Sequence, residues 1–354
     1  MDVNQTPQPD TPESQAPQPT PAASHNKRRL VYVFANPFSG SGENRKHVDE
    51  LESALGERGF QTRIVWDLEE RKEILGSQQL AEQCRCIVSA GGDGSLGDVV
   101  NELACSGSLA KIPIATLPMG NENLFAKEYG FTREGYRLAK AIVRGHVRQI
   151  DVGEVNGKLF TLMMSAGFDA AVVHELDNWR KEGGEAAKKR VNRMTYALPI
   201  LKVVGRYPYP DMQLTAFDEQ GHKTTAQGAH VFVFALKQYA MGLPIAGEVL
   251  DDDGLLDWVV LNKRGLLRLL QYGVSIWRNK HLQRDDVISG RAKRVLICRL
   301  APQEHANGEQ AGQTEADASR EPVPVQVDGD VGGQTPIEVC VLEKAMQVLD
   351  MSGL

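Results

Sequence analysis

An aspartate stands among glycines in the stretch VSAGGDGSLGDVV, which occupies residues 88–100. A glycine-rich turn between a strand and a helix presents backbone N–H groups at the helix N-terminus, and such an arrangement binds phosphate. We expect Gly91, Gly92 and Gly94 to allow close approach of a ligand and to adopt positive φ angles. Ser95 is expected to be the N-cap of the helix that follows. The stretch therefore predicts a phosphate-binding turn.

Asp93 gives this turn a negative charge, which would repel a phosphate unless a cation neutralises it. Mg²⁺ suits this position, because it is usually held by one or two carboxylates together with the phosphates of the substrate. The alternative is a turn capped by Asp93 that binds no ligand. The combination favours a nucleotide phosphate with its metal ion.

Two other turns are rich in Gly, Pro, Ser and Asn. NPFSGSG (36–42) follows the first apolar run of the chain, and PMGNEN (118–123) follows the fourth and contributes Glu122. Either turn taken alone is typical of an ordinary loop. Open α/β sheets bind ligands at the carboxyl ends of their strands, so three such turns are expected along one edge of the sheet.

The elements that position these turns alternate between strand and helix. A continuous apolar run predicts a strand buried on both faces over residues 30–35, and further strands are expected over 62–66, 86–90 and 112–116. Apolar residues at helical spacing follow the first and third runs, a polar helix is expected over 69–83, and another helix follows the turn at 118–123. The alternation predicts a doubly wound parallel sheet.

The pattern changes near residue 150. QIDVGEVNGKLFTLMMSAGF (149–168) contains two strand-like runs joined by an Asn-Gly turn, which is a strong hairpin signal. Further strands are expected within residues 211–227, 230–236, 255–261 and 294–300, and paired strands within 336–351. Helical segments interrupt these runs at 185–204 and 264–277. Short strands with short turns predict an antiparallel sandwich.

Charge and hydropathy exclude several classes of protein. The formal net charge is −6, so a broad nucleic-acid surface is not expected. No apolar run approaches the ~18 residues of a membrane span. Residues 1–26 are rich in Pro, Gln, Thr and Ser and contain no apolar region, so we expect a disordered tail rather than a secretory signal. A cytoplasmic protein is expected.

Two basic, partly apolar segments suit a membrane surface. The segment 185–204 begins with several Lys and Arg residues, and the segment 264–284 carries Trp277 among Arg278, Lys280 and Arg284. Such segments can dock on anionic lipid headgroups. The alternative is an ordinary helix with a solvated charged face.

Several motifs follow one another in the order found in a known family: NPFSGSG, GGDGSLGDVVNEL, PMGNENLFAKEYG, DDDGLLD and VQVDGD. From Arg29 to Met351 the chain resembles the diacylglycerol kinase catalytic-domain family, which includes bacterial lipid kinases, diacylglycerol kinases and sphingosine kinases. GGDG alone is shared with NAD kinases and phosphofructokinases, whereas its combination with the two later motifs is specific.

The resemblance implies an α/β fold with two domains and the active site in the cleft between them. Expected are a disordered tail (1–27), a Rossmann-like nucleotide-binding domain with a parallel sheet (28–148) and an antiparallel β-sandwich domain that binds lipid (149–354). The second domain would contain a flexible loop at 302–322, and its last residues would return to the first domain.

The resemblance also implies the ligands of the site. The expected ATP-binding residues are Asn36, Gly91, Gly92, Asp93, Gly94, Ser95, Leu96, Gly97, Gly120, Asn121 and Glu122. Asp93 would act near Mg²⁺, and Asp151 matches a second carboxylate that faces the same cleft, although alone it reads as a turn residue at a strand end. In bacterial members a loop like LDDDGLLD (250–257) binds a structural Mg²⁺. Its ligands here would be the Asp253 side chain and the carbonyls of Leu250 and Leu255, unless the loop is only a solvated acidic turn.

VQVDGDVGG (325–333) matches the family segment in which a glutamate is the general base. Asp330 occupies that position here and would take the proton of a lipid hydroxyl, with Asp328 as the reserve candidate. Aspartate is one methylene shorter, so the cleft would close slightly further. Asp-Gly is also a hairpin turn signal, and both interpretations are compatible.

Two positions depart from the family pattern. Ser95 replaces the usual threonine and keeps the hydroxyl. In the family's GTxND segment, the threonine is Asn121 here and the aspartate is Leu124, so Glu122 would supply the missing acid.

The function expected from these residues is an ATP- and Mg²⁺-dependent lipid kinase that phosphorylates the hydroxyl of a diacylglycerol-like or sphingoid lipid. Its partner would be a lipid at a membrane surface, met by peripheral association, with no nucleic acid. The alternatives are a kinase of a soluble substrate, similar to NAD kinases, and an inactive protein that binds nucleotide or lipid. The oligomeric state stays open, a dimer included.

Overall fold

The computed structural model describes residues 28–36, 44–182, 203–204, 206–239, 242–300 and 322–354. The predicted helix at 185–204 and the loop at 302–322 therefore lie almost entirely outside the described residues, as does most of NPFSGSG. Among the helices that are described, none is long and apolar enough to cross a membrane.

The first half of the chain builds a parallel sheet with helices on its faces. Its elements are β1 (Leu30–Ala35), α1 (Asn44–Gly56), β2 (Gln61–Val65), α2 (Leu68–Leu75), α3 (Leu80–Gln83), β3 (Cys84–Gly91), α4 (Asp93–Cys105), β4 (Ile114–Pro118), α5 (Leu124–Tyr129) and α6 (Gly135–Arg144). The strand order is β2-β1-β3-β4, with all pairs parallel. Both faces of β3 and β4 are buried, which explains their continuous apolar runs.

The polar helix predicted over 69–83 is wrong in one respect, because it is two helices. Asp67 caps α2 by accepting hydrogen bonds from the backbone N–H groups of Glu69 and Glu70. Gly76 ends α2, and α3 begins only at Leu80.

The second half builds antiparallel sheets. Its elements are β5 (Val147–Val155), β6 (Lys158–Phe160), β7 (Met163–Gly167), α7 (Phe168–Glu182), β8 (Met212–Phe217), β9 (Lys223–Gly228), β10 (His230–Phe234), β11 (Leu256–Leu261), α8 (Leu266–Trp277), β12 (Val287–Ala292), β13 (Arg294–Arg299), β14 (Pro324–Val327), β15 (Asp330–Gln334) and β16 (Ile337–Leu349). Six of these strands form a sheet in the order β12-β11-β10-β7-β14-β15.

This six-stranded sheet packs against the antiparallel part of the other sheet to form the sandwich. Val231, Val233, Trp258 and Val260 point into the core between the two sheets. Alternate residues such as Phe232 point to the opposite face, where α7 and α8 lie. The prediction of an antiparallel sandwich is confirmed.

β16 links the two halves of the molecule. The prediction of paired strands within 336–351 is wrong, because residues 337–349 form one strand. It pairs with β5 along its length, with β13 near its start, and in parallel with β4 at Val348. Lys344, with a φ of 49°, lies where the register with β5 shifts. The predicted fold class, a parallel α/β domain followed by an antiparallel sandwich, is confirmed.

Candidate active site

The glycine turn after β3 leads directly into α4, which begins at Asp93. Gly92 is the N-cap residue, and no side chain caps the helix. The backbone N–H groups of the first turn of α4 are therefore available to an anion. Ser95 was predicted to be the N-cap, but it lies inside the first turn, where its buried hydroxyl accepts a hydrogen bond from Asn36 Nδ2 at 3.0 Å.

Close packing, rather than backbone conformation, requires glycine in this turn. None of Gly91, Gly92 and Gly94 has a positive φ, contrary to the prediction, and the φ of Gly92 is −96°. A Cβ on Gly91 would lie 2.5 Å from the Ser95 Cβ. A Cβ on Gly120 would lie 2.6 Å from the Gly92 Cα, so the two loops touch backbone to backbone. Gly91 and Gly92 therefore pack against other parts of the chain, whereas a Cβ at Gly94 would meet no atom within 4 Å. Close approach of a ligand stays a prediction.

Asp93 connects the glycine turn to α5. Its two carboxylate oxygens accept hydrogen bonds from the backbone N–H groups of Leu124, at 3.0 Å, and Phe125, at 3.1 Å. Burial raises the pKa of Asp93, while these two N–H groups and the nearby Lys127 oppose the rise. The acid therefore satisfies the N-terminus of α5, a contact that the sequence did not reveal.

The turn at 118–123 is held by Asn123, which sequence reasoning missed. Its φ is 50°, and its side chain accepts a hydrogen bond from Gly120 N at 2.8 Å and donates one to Gly120 O at 2.7 Å. Asparagine tolerates this left-handed conformation, which is the signal that could have identified it. Glu122 faces Lys127, with 3.9 Å between Oε2 and Nζ.

A cavity of about 280 Å³ opens beside α4, between the two halves of the chain. It is lined by Gly94, Gly97, Asp98, Asn101, Lys158, Leu159, Val327, Asp328 and Asp330. A Cβ added at Gly94 or Gly97 would meet no atom within 4 Å, so this face of α4 is open space. Three predicted site residues, Gly94, Gly97 and Asp330, therefore meet in one cavity.

Asp330 stands at the far wall, in the hairpin of β14 and β15. The two-residue loop consists of Asp328 and Gly329, which both have positive φ, so the predicted Asp-Gly turn is present. The Asp330 side chain is 56 % exposed, and its Oδ2 lies 4.0 Å from Lys158 Nζ. Partial burial raises the pKa of Asp330, Lys158 opposes that rise, and the acid of Asp98 adds to it.

Asp328 anchors the hairpin and has little freedom to act as a base. Its carboxylate accepts hydrogen bonds from the backbone N–H groups of Thr161, Leu162 and Met163 at 2.8–3.0 Å. Burial raises its pKa to about 6, although the three N–H groups oppose the rise. The reserve candidate thus has a positioning role in this structure.

A buried polar chain fixes the hairpin from behind. Gln326 Oε1 accepts a hydrogen bond from Gly329 N at 2.8 Å, and its Nε2 donates to Ser165 Oγ at 3.0 Å. Ser165 donates to Asp169 at 2.6 Å, and the hydroxyl of Tyr239 donates to the same carboxylate at 2.6 Å. Nothing in the local sequence around these residues revealed the chain, because its members come from two strands, a helix and the loop after β10.

Asn101 joins the two walls of the cavity and was also missed. Its Nδ2 donates to Gly97 O at 2.8 Å and to Leu159 O at 3.0 Å, and its Oδ1 accepts from Leu159 N at 2.8 Å. The side chain therefore clamps β6, which carries Lys158, to α4.

Asp151 lies apart from the residues that line this cavity. Its carboxylate accepts hydrogen bonds from Gly254 N at 2.6 Å and Lys344 N at 2.7 Å. Burial raises the pKa of Asp151, and these N–H groups oppose the rise. The residue fastens the acidic loop to the irregular part of β16, so the structure gives it no contact with Asp93.

The acidic loop at 250–255 forms an ion pair with an arginine of β12. Asp253 Oδ1 accepts from Leu255 N at 3.1 Å, and its Oδ2 pairs with the guanidinium of Arg291. Leu250 is exposed. Within the described part of the chain, no group of three or more His, Cys, Asp or Glu residues is arranged to hold a metal ion. The structural Mg²⁺ site at Leu250, Asp253 and Leu255 stays a prediction, and Arg291 now competes with it.

Two family models match the chain. The diacylglycerol kinase catalytic domain matches residues 30–155, and the YegS C-terminal NAD kinase beta sandwich-like domain matches residues 162–350.

Curated relatives and a solved structure match nearly the whole chain. A diacylglycerol kinase of Bacillus subtilis (strain 168) is 23 % identical over 328 residues, which are 91 % of this chain and 96 % of that protein. One of Mycobacterium tuberculosis is 27 % identical over 308 residues, 84 % of this chain and 94 % of that one. The crystal structure of a diacylglycerol kinase from Bacillus anthracis str. Sterne has a TM-score of 0.58 at 17 % identity and covers 92 % of this chain and 97 % of its own.

Proposed function

The chain belongs to the diacylglycerol kinase catalytic-domain family, and we propose that it is an ATP-dependent lipid kinase. Its acceptor would be the hydroxyl of a diacylglycerol-like or sphingoid lipid. The observation that carries the proposal is the cavity itself, which has the open glycine face of α4 on one wall and Asp330 with Lys158 on the other. A phosphate donor and a hydroxyl base are what a phosphoryl transfer needs to bring together.

The α4 wall suits the phosphates of ATP. The first turn of α4 offers uncapped backbone N–H groups, and Gly94 and Gly97 leave room for close approach. Ser95 and Leu96 would support this wall from the helix, and Asn36 would support it from the end of β1. Gly120, Asn121 and Glu122 would support it from the neighbouring turn. These contacts are part of the proposal.

Asp93 fits a Mg²⁺ ion bound with ATP. A carboxylate offers about four acceptor positions, and the N–H groups of Leu124 and Phe125 take two of them. The remaining positions can face a cation that the phosphates also hold, and this ion would neutralise charge on the transferred group. Asp253 fits less well because Arg291 meets its carboxylate, so no step is derived from the acidic loop.

Asp330 would act as the general base. The lipid hydroxyl attacks the γ-phosphorus, and its proton passes to the Asp330 carboxylate. The bond between the γ-phosphorus and the β,γ-bridging oxygen breaks, so that ADP leaves. Lys158, 4.0 Å from Asp330, favours the ionised carboxylate before the reaction. Since Asp330 is half-exposed, its proton can return to water after each turnover.

The test is transfer of labelled phosphate from ATP to a panel of lipids in mixed micelles, with Mg²⁺ present. Asp330→Asn should lower kcat by at least ~100-fold, the usual loss for a general base, while the KM for ATP changes little. Asp330→Glu, which restores the family's usual residue, should keep activity. Glu219→Gln, in an exposed turn far from the cavity, is the matched control.

Two outcomes would overturn the proposal. Labelling of NAD or a sugar phosphate in place of every lipid would indicate a kinase of a soluble substrate. Binding of Mg-ATP without turnover on any acceptor would indicate an inactive scaffold.

The same proposal includes the location of the protein, which would be cytoplasmic and would associate peripherally with the membrane.

A further inference from the structure

Helix α8 presents a row of large apolar side chains to solvent. The exposed members and their exposed fractions are Leu267 (75 %), Leu270 (58 %), Val274 (55 %) and Trp277 (78 %). Their spacing places them on one side of a helix. Single exposed apolar residues are normal, but a contiguous row of this kind marks a surface that binds something.

The opposite side of α8 holds the helix firmly in the fold. Tyr272 and Ile276 are buried in the same apolar cluster as Phe232, Val259 and Leu261. The Tyr272 hydroxyl accepts a hydrogen bond from Lys263 N at 3.0 Å and donates one to Asp286 O at 3.3 Å. The exposed row is therefore a fixed surface on a packed helix.

The charge around α8 is opposite to that of the whole chain. From Lys263 to Arg284 there are six Lys or Arg residues and no Asp or Glu, whereas the whole chain has a formal charge of −6. Arg264 pairs with Asp211, and Arg284 pairs with Asp286. In the described parts of the chain, no ion pair involves the other four basic residues, Lys263, Arg268, Arg278 and Lys280. The first acid after this segment in the sequence is Asp285.

The length of α8 decides how it would meet a bilayer. Twelve residues extend ~18 Å, which is well short of the ~30 Å hydrocarbon core of a membrane. Such a helix lies in the plane of the interface, with its apolar side in the acyl boundary and its basic flanks at the headgroups.

The position of α8 relates this surface to the cavity. Phe232, beneath α8, pairs in register with Ser165, whose hydroxyl bonds Asp169 of α7. Both helices therefore lie on the same face of the six-stranded sheet, and α7 packs against the hairpin that carries Asp330.

We propose that the exposed face of α8 docks the protein on a bilayer that contains anionic lipid. The proposal rests on the proposed lipid kinase function for its purpose, since a lipid acceptor must be reached at a surface. A second copy of the chain is a poorer occupant, because two such basic faces would repel each other when they met. Docking brings the face of the sheet that carries α7 to the surface where the acceptor lies.

Vesicle binding tests this without ATP or turnover. The full chain is sedimented with phosphatidylcholine vesicles that contain or lack phosphatidylglycerol. Leu267→Ser/Trp277→Ser should lower binding at least tenfold, and Arg268→Gln/Lys280→Gln should remove most of the preference for phosphatidylglycerol. Leu68→Ser/Val143→Ser, two exposed apolar residues of α2 and α6, should bind as wild type does. Circular dichroism checks that each variant keeps its helices.

Each outcome decides between the two proposals. Equal binding by the α8 variant and its control would overturn the docking inference, whatever the kinase assay shows. Binding that depends on α8, without phosphorylation of any lipid, would uphold docking and refute the lipid kinase. A wild-type dimer that does not bind vesicles, and that Leu267→Ser/Trp277→Ser converts to monomer, would make a second copy the occupant and overturn the inference.

Discussion

Alanine at two glycines of the same motif is expected to change the free energy of unfolding in opposite directions. Gly97→Ala adds a methyl group inside α4 where no atom lies within 4 Å. Alanine is favoured over glycine in a helix interior by ~0.5–1 kcal/mol, so the free energy of unfolding should rise by about that amount. Gly91→Ala instead places a Cβ 2.5 Å from the Ser95 Cβ. The first turn of α4 must then shift, which costs ~1–3 kcal/mol.

For Gly97→Ala, activity should not follow stability. The space beside Gly97 belongs to the cavity, and the proposed site puts the phosphates of ATP against this wall. A methyl group there holds the phosphates away from α4. We expect the KM for ATP of Gly97→Ala to rise about tenfold, which corresponds to ~1.4 kcal/mol of binding free energy.

Urea denaturation gives the free energy of unfolding, and phosphate transfer at varied ATP concentration gives KM and kcat. Gly273→Ala is the matched control, because Gly273 lies within α8 and a Cβ there also meets nothing within 4 Å. It should gain similar stability and leave the KM for ATP unchanged. A Gly97→Ala protein that is more stable and has wild-type KM and kcat would refute the assignment of this cavity to the nucleotide phosphates.

Three further changes probe the opposite wall and its supports. Lys158→Gln removes the cation that lowers the pKa of Asp330, so the acid limb of the kcat/KM profile should move to higher pH; an unmoved limb would exclude Asp330 as the titrating base. Burial raises the Asp328 pKa from 3.8 to about 6, so stability is lost as pH rises through that value. Urea titrations between about pH 4 and about pH 7 measure this: the free energy of unfolding of the wild type should fall by on the order of 3 kcal/mol more than that of Asp328→Asn. An equal pH dependence of the two free energies would contradict the prediction. Asn101→Ala leaves Leu159 N and O without the Asn101 side chain as their partner, so the free energy of unfolding in the same assay should fall by ~1–3 kcal/mol. The kcat should also fall, because β6 is no longer held against α4. An unchanged kcat would show that this contact does not contribute to catalysis.

The parallel sheet was predictable because burial on both faces leaves a direct trace in the sequence. β1 has no charged or strongly polar residue, β3 is buried along its whole length, and a glycine-rich loop follows each strand. α7 was not predicted, because it begins directly after Gly167 without a polar turn to separate it from β7. The run at 336–351 was predicted to form paired strands, whereas β16 is a single strand whose register with β5 shifts near Lys344.

The candidate site could be predicted where one short motif contains the whole feature. The glycine turn and the Asp-Gly hairpin are of this kind, and both stand where the sequence indicated. Contacts between distant residues left no such trace. Asp93 meets α5 across 31 residues, and the guanidinium of Arg291 pairs with Asp253 across a strand pair. Roles assigned to a carboxylate by its motif therefore omit the partner that the fold supplies.

The separation between the glycine face of α4 and Asp330 depends on a few polar contacts that span the cavity. Asn101 holds β6 against α4, and Asp328 holds the hairpin against the segment that follows β6. Asn101 bonds Leu159 and Asp328 bonds Thr161, so both tethers attach to the chain just after Lys158 and fix α4, Lys158 and the hairpin of Asp330 relative to one another. An aspartate, which is one methylene shorter than the family's usual glutamate, can reach an acceptor only if this separation is kept small. In the proposed reaction, the hydrogen bonds of Asn101 and Asp328 keep this separation small, and they would therefore belong to the reaction geometry as much as to the fold.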